Sequence, residues 1–299
     1  MARKINDLNK TSEAAAEQDW KYIVRADDKG KIDFNGLAKS RYLTLLWVKR
    51  NFIAQYKQTV LGPAWAVIQP FFSTVVYSIF FGSVAGLGAA GVPNFIFYLS
   101  GNVIWHVFAG CLSGNSAAFT SNAGIFSKVY FPRLVMPIST ALSQFITFAI
   151  QFVFMLGFLI YYMATGEVVH PTWFALFTPL LLAQLAAFGM ACGIIISSLT
   201  TKYRDLQKLV GFGITLWMYC SPVTYDMFSR KKLSGGGLWY NLYMLNPVTP
   251  VVNFFRYAWL GIGRIDWLFY GISLAVTVAL VLVGFKIFSR VEKTFLDTV

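Results

Sequence analysis

Residues 173–199 read WFALFTPLLLAQLAAFGMACGIIISSL, a run without one charged side chain. About 20 consecutive and mainly apolar residues are enough for an α-helix to cross the hydrocarbon core of a bilayer. The run therefore predicts a membrane-spanning helix.

Five further stretches are long and uncharged enough to span a membrane. Together with Trp173–Leu199 they predict an all-α polytopic membrane protein with six transmembrane helices, in a domain that occupies residues 64–299. The other five predicted spans are Ala64–Leu87, Phe95–Ala118, Ile138–Met163, Gly211–Phe228 and Trp267–Phe285.

The composition of the whole chain agrees with a lipid environment. Its 299 residues are 57% hydrophobic and 13% charged, whereas an average soluble domain is about 25% charged. A net charge of +12 is common in nucleic-acid-binding proteins. In a chain this apolar, basic residues held on the cytoplasmic side are the better explanation, so no nucleic-acid partner is expected.

The positions of the basic residues predict the orientation. Of the 25 Lys and Arg residues, 20 lie before the first span, in the second and fourth connections, or after the last span. Because these residues collect on the cytoplasmic side, both termini are predicted there. The first forty residues also lack the apolar core of a cleavable signal peptide.

The remaining five Lys and Arg residues all lie in the fifth connection, Ser229–Asp266, which includes the cluster Arg230-Lys231-Lys232. An apolar patch in this connection, Pro247–Leu260, is too short to cross comfortably. We interpret it as a re-entrant or interfacial hairpin on the outer side, where irregular backbone is tolerated if protein or water covers it.

Two segments precede the first span. Residues 1–38 are mixed in charge and predicted to be a partly disordered cytoplasmic extension. Residues 39–63 are predicted to form an amphipathic interfacial helix and a turn at Leu61-Gly62-Pro63. The expected polar face carries Thr44, Asn51, Gln55 and Gln58, and the expected apolar face carries Leu43, Leu46, Trp47 and Ile53.

The predicted spans lack the side chains that most membrane chemistry uses. Their middles contain no Asp, Glu, Lys or Arg, which disfavours ion-coupled transport. His106, the one imidazole at depth, is more simply a packed residue than a proton relay. The chain has no GxxxxGK[ST] loop, no acidic DxD pair, and no CxxC spacing at Cys111, Cys192 or Cys220. We therefore expect no catalytic site, metal site or cofactor on this chain, and any energy for transport must come from a partner.

Two features leave alternatives open. Glycine pairs at four-residue spacing, Gly82/Gly86, Gly110/Gly114 and Gly189/Gly193, permit close helix contact, within one bundle or between two copies. The 28 Phe, 15 Tyr and 9 Trp residues fit ordinary interfacial and lipid-facing positions. They also fit a path along which the rings of a glycan slide.

A series of motifs follows in chain order. It consists of Val48–Asn51, Tyr56–Trp65, Gln69-Pro70, Asn122–Arg133, Tyr203–Leu206, Ser221–Tyr225, and Leu245–Val248 with Arg256. From about Arg41 to the C-terminus, this series resembles the membrane subunit of type-2 ABC exporters of O-antigen and related polysaccharides. The resemblance implies a homodimer, bound on its cytoplasmic side by two ATP-hydrolysing subunits that carry ATP and Mg²⁺. It also implies a bacterial inner-membrane location and outward movement of an undecaprenyl-pyrophosphate-linked polysaccharide.

The resemblance assigns roles to three sets of residues. In the cytoplasmic segment Ser121–Arg133, a coupling helix would dock on the ATPase through Asn122, Phe126, Lys128, Tyr130, Phe131 and Arg133. Near the interfacial helix, Arg50, Lys57, Leu61 and Gly62 would receive the lipid pyrophosphate. In the outer hairpin, Asn246, Pro247, Phe254, Phe255, Arg256 and Tyr257 would cover the exit.

Each role has a simpler alternative. The coupling segment could instead be a simple loop whose two cations follow the preference of Lys and Arg for the cytoplasmic side. Arg50 and Lys57 could instead be attracted to anionic lipid in general. The hairpin could instead be a structural element that closes the bundle. For the protein as a whole, the alternatives are a membrane enzyme of lipid-linked glycan synthesis, a passive channel or scaffold, and an exporter subunit for capsule or teichoic acid.

Overall fold

The computed structural model describes residues 40–89, 91–118, 121, 132–200, 205–228 and 237–298, with side chains to residue 290. Within these ranges every regular element is helical. The α-helices are α1 (Arg41–Tyr56), α2 (Trp65–Tyr77), α3 (Asn94–Ser116), α4 (Val135–Ala164), α5 (Thr178–Thr200), α6 (Leu206–Tyr219), α7 (Leu238–Met244), α8 (Val248–Leu260) and α9 (Trp267–Thr298). Residues 1–38, the coupling residues 122–131 and the Arg230-Lys231-Lys232 cluster lie outside the described residues.

Five helical segments in the described ranges are long and apolar enough to cross a bilayer. They are Gly62–Val84, Asn94–Ser116, Val135–Ala164, Trp173–Thr200 and Trp267–Arg290. The first joins a short 3₁₀ turn, α2 and a π-helical segment, Ser78–Val84. These segments match the predicted first, second, third, fourth and sixth spans, so an all-helical membrane protein is confirmed.

The predicted fifth span, Gly211–Phe228, does not appear as one helix. α6 begins earlier, at Leu206, and ends at Tyr219 after 14 residues, which at 1.5 Å per residue is about 21 Å, short of the roughly 30 Å hydrocarbon core. Residues 220–228 then turn towards α7. Six full spans therefore stay a prediction.

The centre of the bundle is α3, which is buried along most of its length and packs mainly against α5 and α4. Glycines make these contacts close. A Cβ built on Gly189 would lie 2.7 Å from the Phe108 carbonyl oxygen, and one on Gly193 would lie 2.6 Å from the Asn115 Cβ. Cβ atoms on Gly110 and Gly114 would meet side chains of α4. Two of the three glycine pairs thus pack helices within this chain.

Polar side chains join the helices where backbone groups need partners. Pro70, inside α2, lacks an N–H and leaves the Ala66 carbonyl, four residues earlier, without its usual donor. The side-chain amide of Gln151 on α4 donates to that carbonyl at 3.1 Å. Asn102 of α3 donates to Ser73 Oγ at 2.6 Å and to the Pro70 carbonyl at 3.4 Å. Hydrogen bonds of this kind fix one helix against its neighbour in an apolar environment.

The predicted interfacial helix is present as α1, which packs against α4. Its faces differ in part from the expected wheel. Thr44 and Trp47 are buried against the bundle, whereas Leu46 and Ile53 are exposed. The side chain of Thr44 donates to the Ser40 carbonyl, which explains how a residue from the expected polar face is accommodated there. The orientation of α1 in a membrane plane stays a prediction.

The patch predicted as a hairpin, Pro247–Leu260, forms one helix, α8, and not a hairpin of its own. α8 packs against the short helix α7, to which residues 245–247 join it; we call residues 238–260 the outer hairpin. α8 is almost wholly buried and contacts the start of α3 and of α5. The charge count assigns those helix ends to the outer side. The hairpin therefore lies at the expected end of the bundle, while re-entrant insertion stays a prediction.

Candidate functional site

Arg256 is the central side chain of the outer hairpin. It is 3% exposed, donates to the carbonyl oxygens of Pro222, Val223 (2.7 Å) and Phe97 (3.4 Å), and lies 3.7 Å above the Phe97 ring. Burial lowers the pKa of Arg256 to about 10, and the nearby charge of Asp226 opposes that shift. The guanidinium therefore stays protonated at neutral pH and ties three segments together.

Asn246 fixes the turn of the outer hairpin. Its side-chain oxygen accepts from Trp217 Nε1 at 3.1 Å and from the Val248 N–H at 3.2 Å, and its amide donates to Ser221 Oγ at 2.8 Å. These bonds use both ends of the Asn246 amide. They attach the start of α8 to the end of α6.

The aromatic residues of the outer hairpin are packing residues in this structure. Phe254 is 1% exposed and lies against the rings of Phe174, Phe177, Trp267 and Tyr270. The other residues predicted here, Pro247, Phe255 and Tyr257, are buried or half-buried beside it. The structure thus brings all six predicted hairpin residues to one end of the bundle, and a role in exit stays a prediction.

The residues predicted to receive a pyrophosphate lie in α1 and in the turn that follows it. Arg50 is exposed, with its guanidinium 4.1 Å from the Trp47 ring centre. Lys57 is also exposed and ends α1, and Leu61 is 48% exposed in the following turn. The turn contains two left-handed residues, Gln58 (φ 67°) and Gly62 (φ 54°). Both cations are therefore accessible to an anion at this surface.

A cavity of about 450 Å³ lies beside this turn, between α1, α2, α3 and α4; we call it the polar cavity. Its walls carry four glutamines, Gln55, Gln69, Gln144 and Gln151, together with His106. None of its described lining residues is Asp, Glu, Lys or Arg. None of the four predicted pyrophosphate residues lines it either.

The polar cavity was not predicted from the sequence, because its described lining contains none of the charged groups that mark functional sites at membrane depth. The available signal was the recurrence of uncharged polar residues in three predicted spans. Gln69, His106 and Gln144 each lie in a different span, and polar residues inside a membrane usually face the bundle or a cavity. Their convergence depends on how the helices pack, which spacing alone does not determine.

Of the predicted coupling residues, only Arg133 is described. It is half-buried and lies just before α4, where its carbonyl accepts from the Met136 N–H at 3.1 Å. The described residues contain no group of three or more His, Cys, Asp or Glu that could hold a metal ion.

Known proteins are similar to this chain over the region that contains the sites described above. Residues 42–260 match the sequence profile of the family described as ABC-2 type transporter. A Klebsiella pneumoniae protein named O-antigen export system permease protein RfbA is 27% identical over 258 residues, which cover 85% of this chain and 94% of that protein. A Myxococcus xanthus protein of the same name is 27% identical over 221 residues, 74% of this chain and 81% of that protein. The profile match includes α1, the polar cavity and the outer hairpin.

Proposed function

The chain belongs to the ABC-2 type transporter family, and from that premise we propose that it is the membrane subunit of an ATP-driven exporter of lipid-linked polysaccharide. The observation that carries the proposal is the similarity to O-antigen export permeases over 94% and 81% of their length. The bundle supports it, because five long apolar helices place the chain in a membrane.

The energy for export would come from two copies of a separate ATP-binding subunit, with ATP and Mg²⁺ bound there. The sequence of the chain contains no GxxxxGK[ST] phosphate-binding loop. The coupling segment, with Asn122, Phe126, Lys128, Tyr130, Phe131 and Arg133, is proposed to dock in the ATPase. Aromatic side chains of this kind are frequent anchors of protein interfaces.

A second copy of this chain is the proposed partner within the membrane. α2 and α6 are neighbours, since Tyr77 Oη lies 3.8 Å from Met218 Sδ, and the ring of Phe81 in the π-helical segment after α2 lies 6.3 Å from that of Tyr219. The first span and α6 both carry exposed apolar side chains. We call this the α2/α6 face; its exposed side chains, on α2, the π-helical segment and α6, are Phe72, Val76, Ile79, Phe80, Leu209, Phe212, Leu216 and Tyr219. Met218 is the one residue of α6 that the bundle buries. Packing against a second α2/α6 face would supply the missing contacts of this short helix.

The proposed substrate is an undecaprenyl-pyrophosphate-linked glycan that leaves the cytoplasmic leaflet of the inner membrane, with both termini of the chain in the cytoplasm. Arg50 and Lys57 would hold the pyrophosphate, because a guanidinium and an ammonium suit a concentrated negative charge. The outer hairpin would cover the exit. Capsule or teichoic acid polymers are the alternative cargo.

The test is a tagged purification of the chain from its host in mild detergent, followed by mass spectrometry and an ATPase assay. We expect an ATP-hydrolysing subunit in equal amount, and we expect Phe126→Ala with Tyr130→Ala to lose it while the membrane chain remains folded. A chain that purifies alone, stable and without ATPase activity would contradict the proposal. Turnover of a lipid-linked sugar donor without ATP would instead favour the membrane-enzyme alternative.

A further inference from the structure

The polar cavity extends far along α3, a helix of 23 residues that is long enough to cross a bilayer. Its lining on α3 runs from Ser113 and Gly114, close to the end of the helix at Ser116, to His106. At 1.5 Å per residue, His106 lies about 15 Å from Ser116 along the helix axis. That is half of the roughly 30 Å hydrocarbon core. The cavity therefore leads from one end of the bundle to the middle of the predicted membrane.

The cavity has its mouth at the end of the bundle that carries α1. Gln55, near the end of α1, and Thr59, in the turn after it, are exposed and line the cavity. At the same end, Ser113 and Gly114 are exposed, although most of α3 is buried. The charge count assigns this end to the cytoplasmic side. The aqueous phase on that side therefore has an entrance beside α1.

Three polar side chains deeper in the wall need hydrogen-bond partners. Gln69 of α2 is exposed, and His106 of α3 and Gln144 of α4 are partly exposed. Within the described part of the chain, no hydrogen bond uses any of these three side chains. Neither His106 nor Gln144 has an unpaired polar atom that the protein encloses. Their polar atoms are therefore open to whatever occupies the cavity.

The wall distinguishes between the possible occupants. A lipid chain cannot form hydrogen bonds with amides and an imidazole, and leaving such groups unsatisfied in hydrocarbon is costly. None of the described lining residues is Asp, Glu, Lys or Arg, so the wall offers no countercharge to an ion. Water needs only a roomy site with two to four polar partners. A volume of about 450 Å³ holds several water molecules at roughly 30 Å³ each.

We propose that the polar cavity is a water-filled cleft that carries the aqueous phase from the side of α1 to His106, in the middle of the membrane. The cleft belongs to the single chain, since α1, the turn after it, α2, α3 and α4 supply its whole described lining. A hydrophilic group that enters beside α1 would keep its hydration to half the depth of the bilayer. The inference does not depend on the proposed export function, because access of water can be measured without transport.

The accessibility of single cysteines in membrane vesicles tests the cleft. Gln144→Cys is compared with Ile146→Cys in the full chain with Cys111, Cys192 and Cys220 replaced by alanine. The two positions lie two residues apart on α4 and so at nearly the same depth. Gln144 lines the cavity, whereas Ile146 does not line it and is 36% exposed. The probe is 2-(trimethylammonium)ethyl methanethiosulfonate, a charged reagent that does not cross membranes.

We expect Gln144→Cys to react at least about a hundredfold faster than Ile146→Cys, because a thiol reacts as the thiolate, which forms in water and is suppressed in hydrocarbon. His106→Cys should react as well, since the cleft reaches that position. Both reactions should occur from the membrane face at which Lys49→Cys reacts, because Lys49 is exposed on α1.

A second pair on α2 repeats the comparison in case a substitution on α4 disturbs folding, which thermal unfolding in detergent detects. Gln69 lines the cavity, whereas Phe72 does not and is 62% exposed. We expect Gln69→Cys to react and Phe72→Cys to resist the reagent, with the same ratio of rates as on α4.

Three results would overturn the proposal. Equal rates within both pairs of folded variants would show that the cavity is no more hydrated than the outside of the bundle. Reaction at Gln144→Cys without reaction at His106→Cys would show that water stops short of the middle of the membrane. Reaction only from the face opposite to that of Lys49→Cys would show that the cleft does not open beside α1.

Discussion

Arg256 is a buried cation whose charge is compensated mainly by carbonyl oxygens. Its planar guanidinium reaches three carbonyls in two segments and stacks on Phe97. A lysine would keep the charge but lose the fork geometry and the stacking. We therefore expect Arg256→Lys to lower the free energy of unfolding by about 2–4 kcal/mol, measured by thermal unfolding in detergent.

The control for this substitution is Arg264→Lys. Arg264 is exposed and lies 5.4–5.7 Å above the rings of Tyr240 and Phe228, so the same exchange should change stability little. Equal effects of the two substitutions would show that the buried bonds of Arg256 do not hold the outer hairpin.

Substitutions of Arg50 and Lys57 can distinguish a specific pyrophosphate site from a general attraction to anionic lipid. We expect Arg50→Ala with Lys57→Ala to reduce glycan export by about tenfold, because two charge-assisted contacts to the pyrophosphate are lost, while the amount of assembled complex stays unchanged. The measurement is surface glycan per unit of membrane protein.

The matched control is Arg41→Ala with Lys49→Ala, which removes the same charges from exposed positions on the same helix, α1. General lipid attraction predicts equal loss in the two double variants. Normal export by the Arg50/Lys57 variant would show that the pyrophosphate role is wrong.

The contact between α3 and α5 depends on Gly189 and Gly193. Because a Cβ on Gly189 would meet backbone 2.7 Å away, the helices must separate to accept alanine. We expect Gly189→Ala to lower the free energy of unfolding by about 1–3 kcal/mol, again by thermal unfolding. Gly157→Ala and Gly271→Ala are controls on α4 and α9, since a Cβ there meets nothing within 4 Å. They should be neutral or stabilising by up to about 1 kcal/mol; a loss equal to that of Gly189→Ala would contradict the close-contact explanation.

The sequence predicts a helix well where the lipid environment alone requires that helix, and less well where packing against other helices decides it. Long apolar runs such as Trp173–Leu199 are required by lipid, so five spans could be read directly. The predicted fifth span begins at Gly211, five residues after the start of α6 at Leu206, because the first turn of α6 contains the polar residues Gln207 and Lys208, which a search for apolar runs excludes. The convergence of Gln69, His106 and Gln144 on one cavity depends on the packing of three helices, α2, α3 and α4, and no single run contains that information.

Burial is unevenly distributed among the long helices. α3 and α5 are largely enclosed, whereas only a small share of the first span, α4 and α9 is buried. Lipid can cover exposed apolar side chains, so exposure alone does not distinguish a lipid surface from a subunit interface. The α2/α6 face differs from α9 in one respect: α9 packs along α5, while α6 has a single buried residue, Met218. A short helix with so few contacts gains most from a second copy.

Cysteine cross-linking distinguishes the two kinds of exposed surface. In a chain with Cys111, Cys192 and Cys220 replaced by alanine, cysteines are placed singly along the α6 part of the α2/α6 face, at Leu209, Phe212 and Leu216. Leu282→Cys on α9 is the control, because its side chain is exposed to the same extent as Phe212, 64% against 63%. In a two-fold dimer, residues near the axis meet their own copies, and a disulfide forms where Cα atoms approach within about 7 Å. We expect oxidant-induced dimers in native membranes from at least one α6 position and none from Leu282→Cys. Dimers from Leu282→Cys alone would move the interface to α9, and the α2/α6 face would then be a lipid-facing surface.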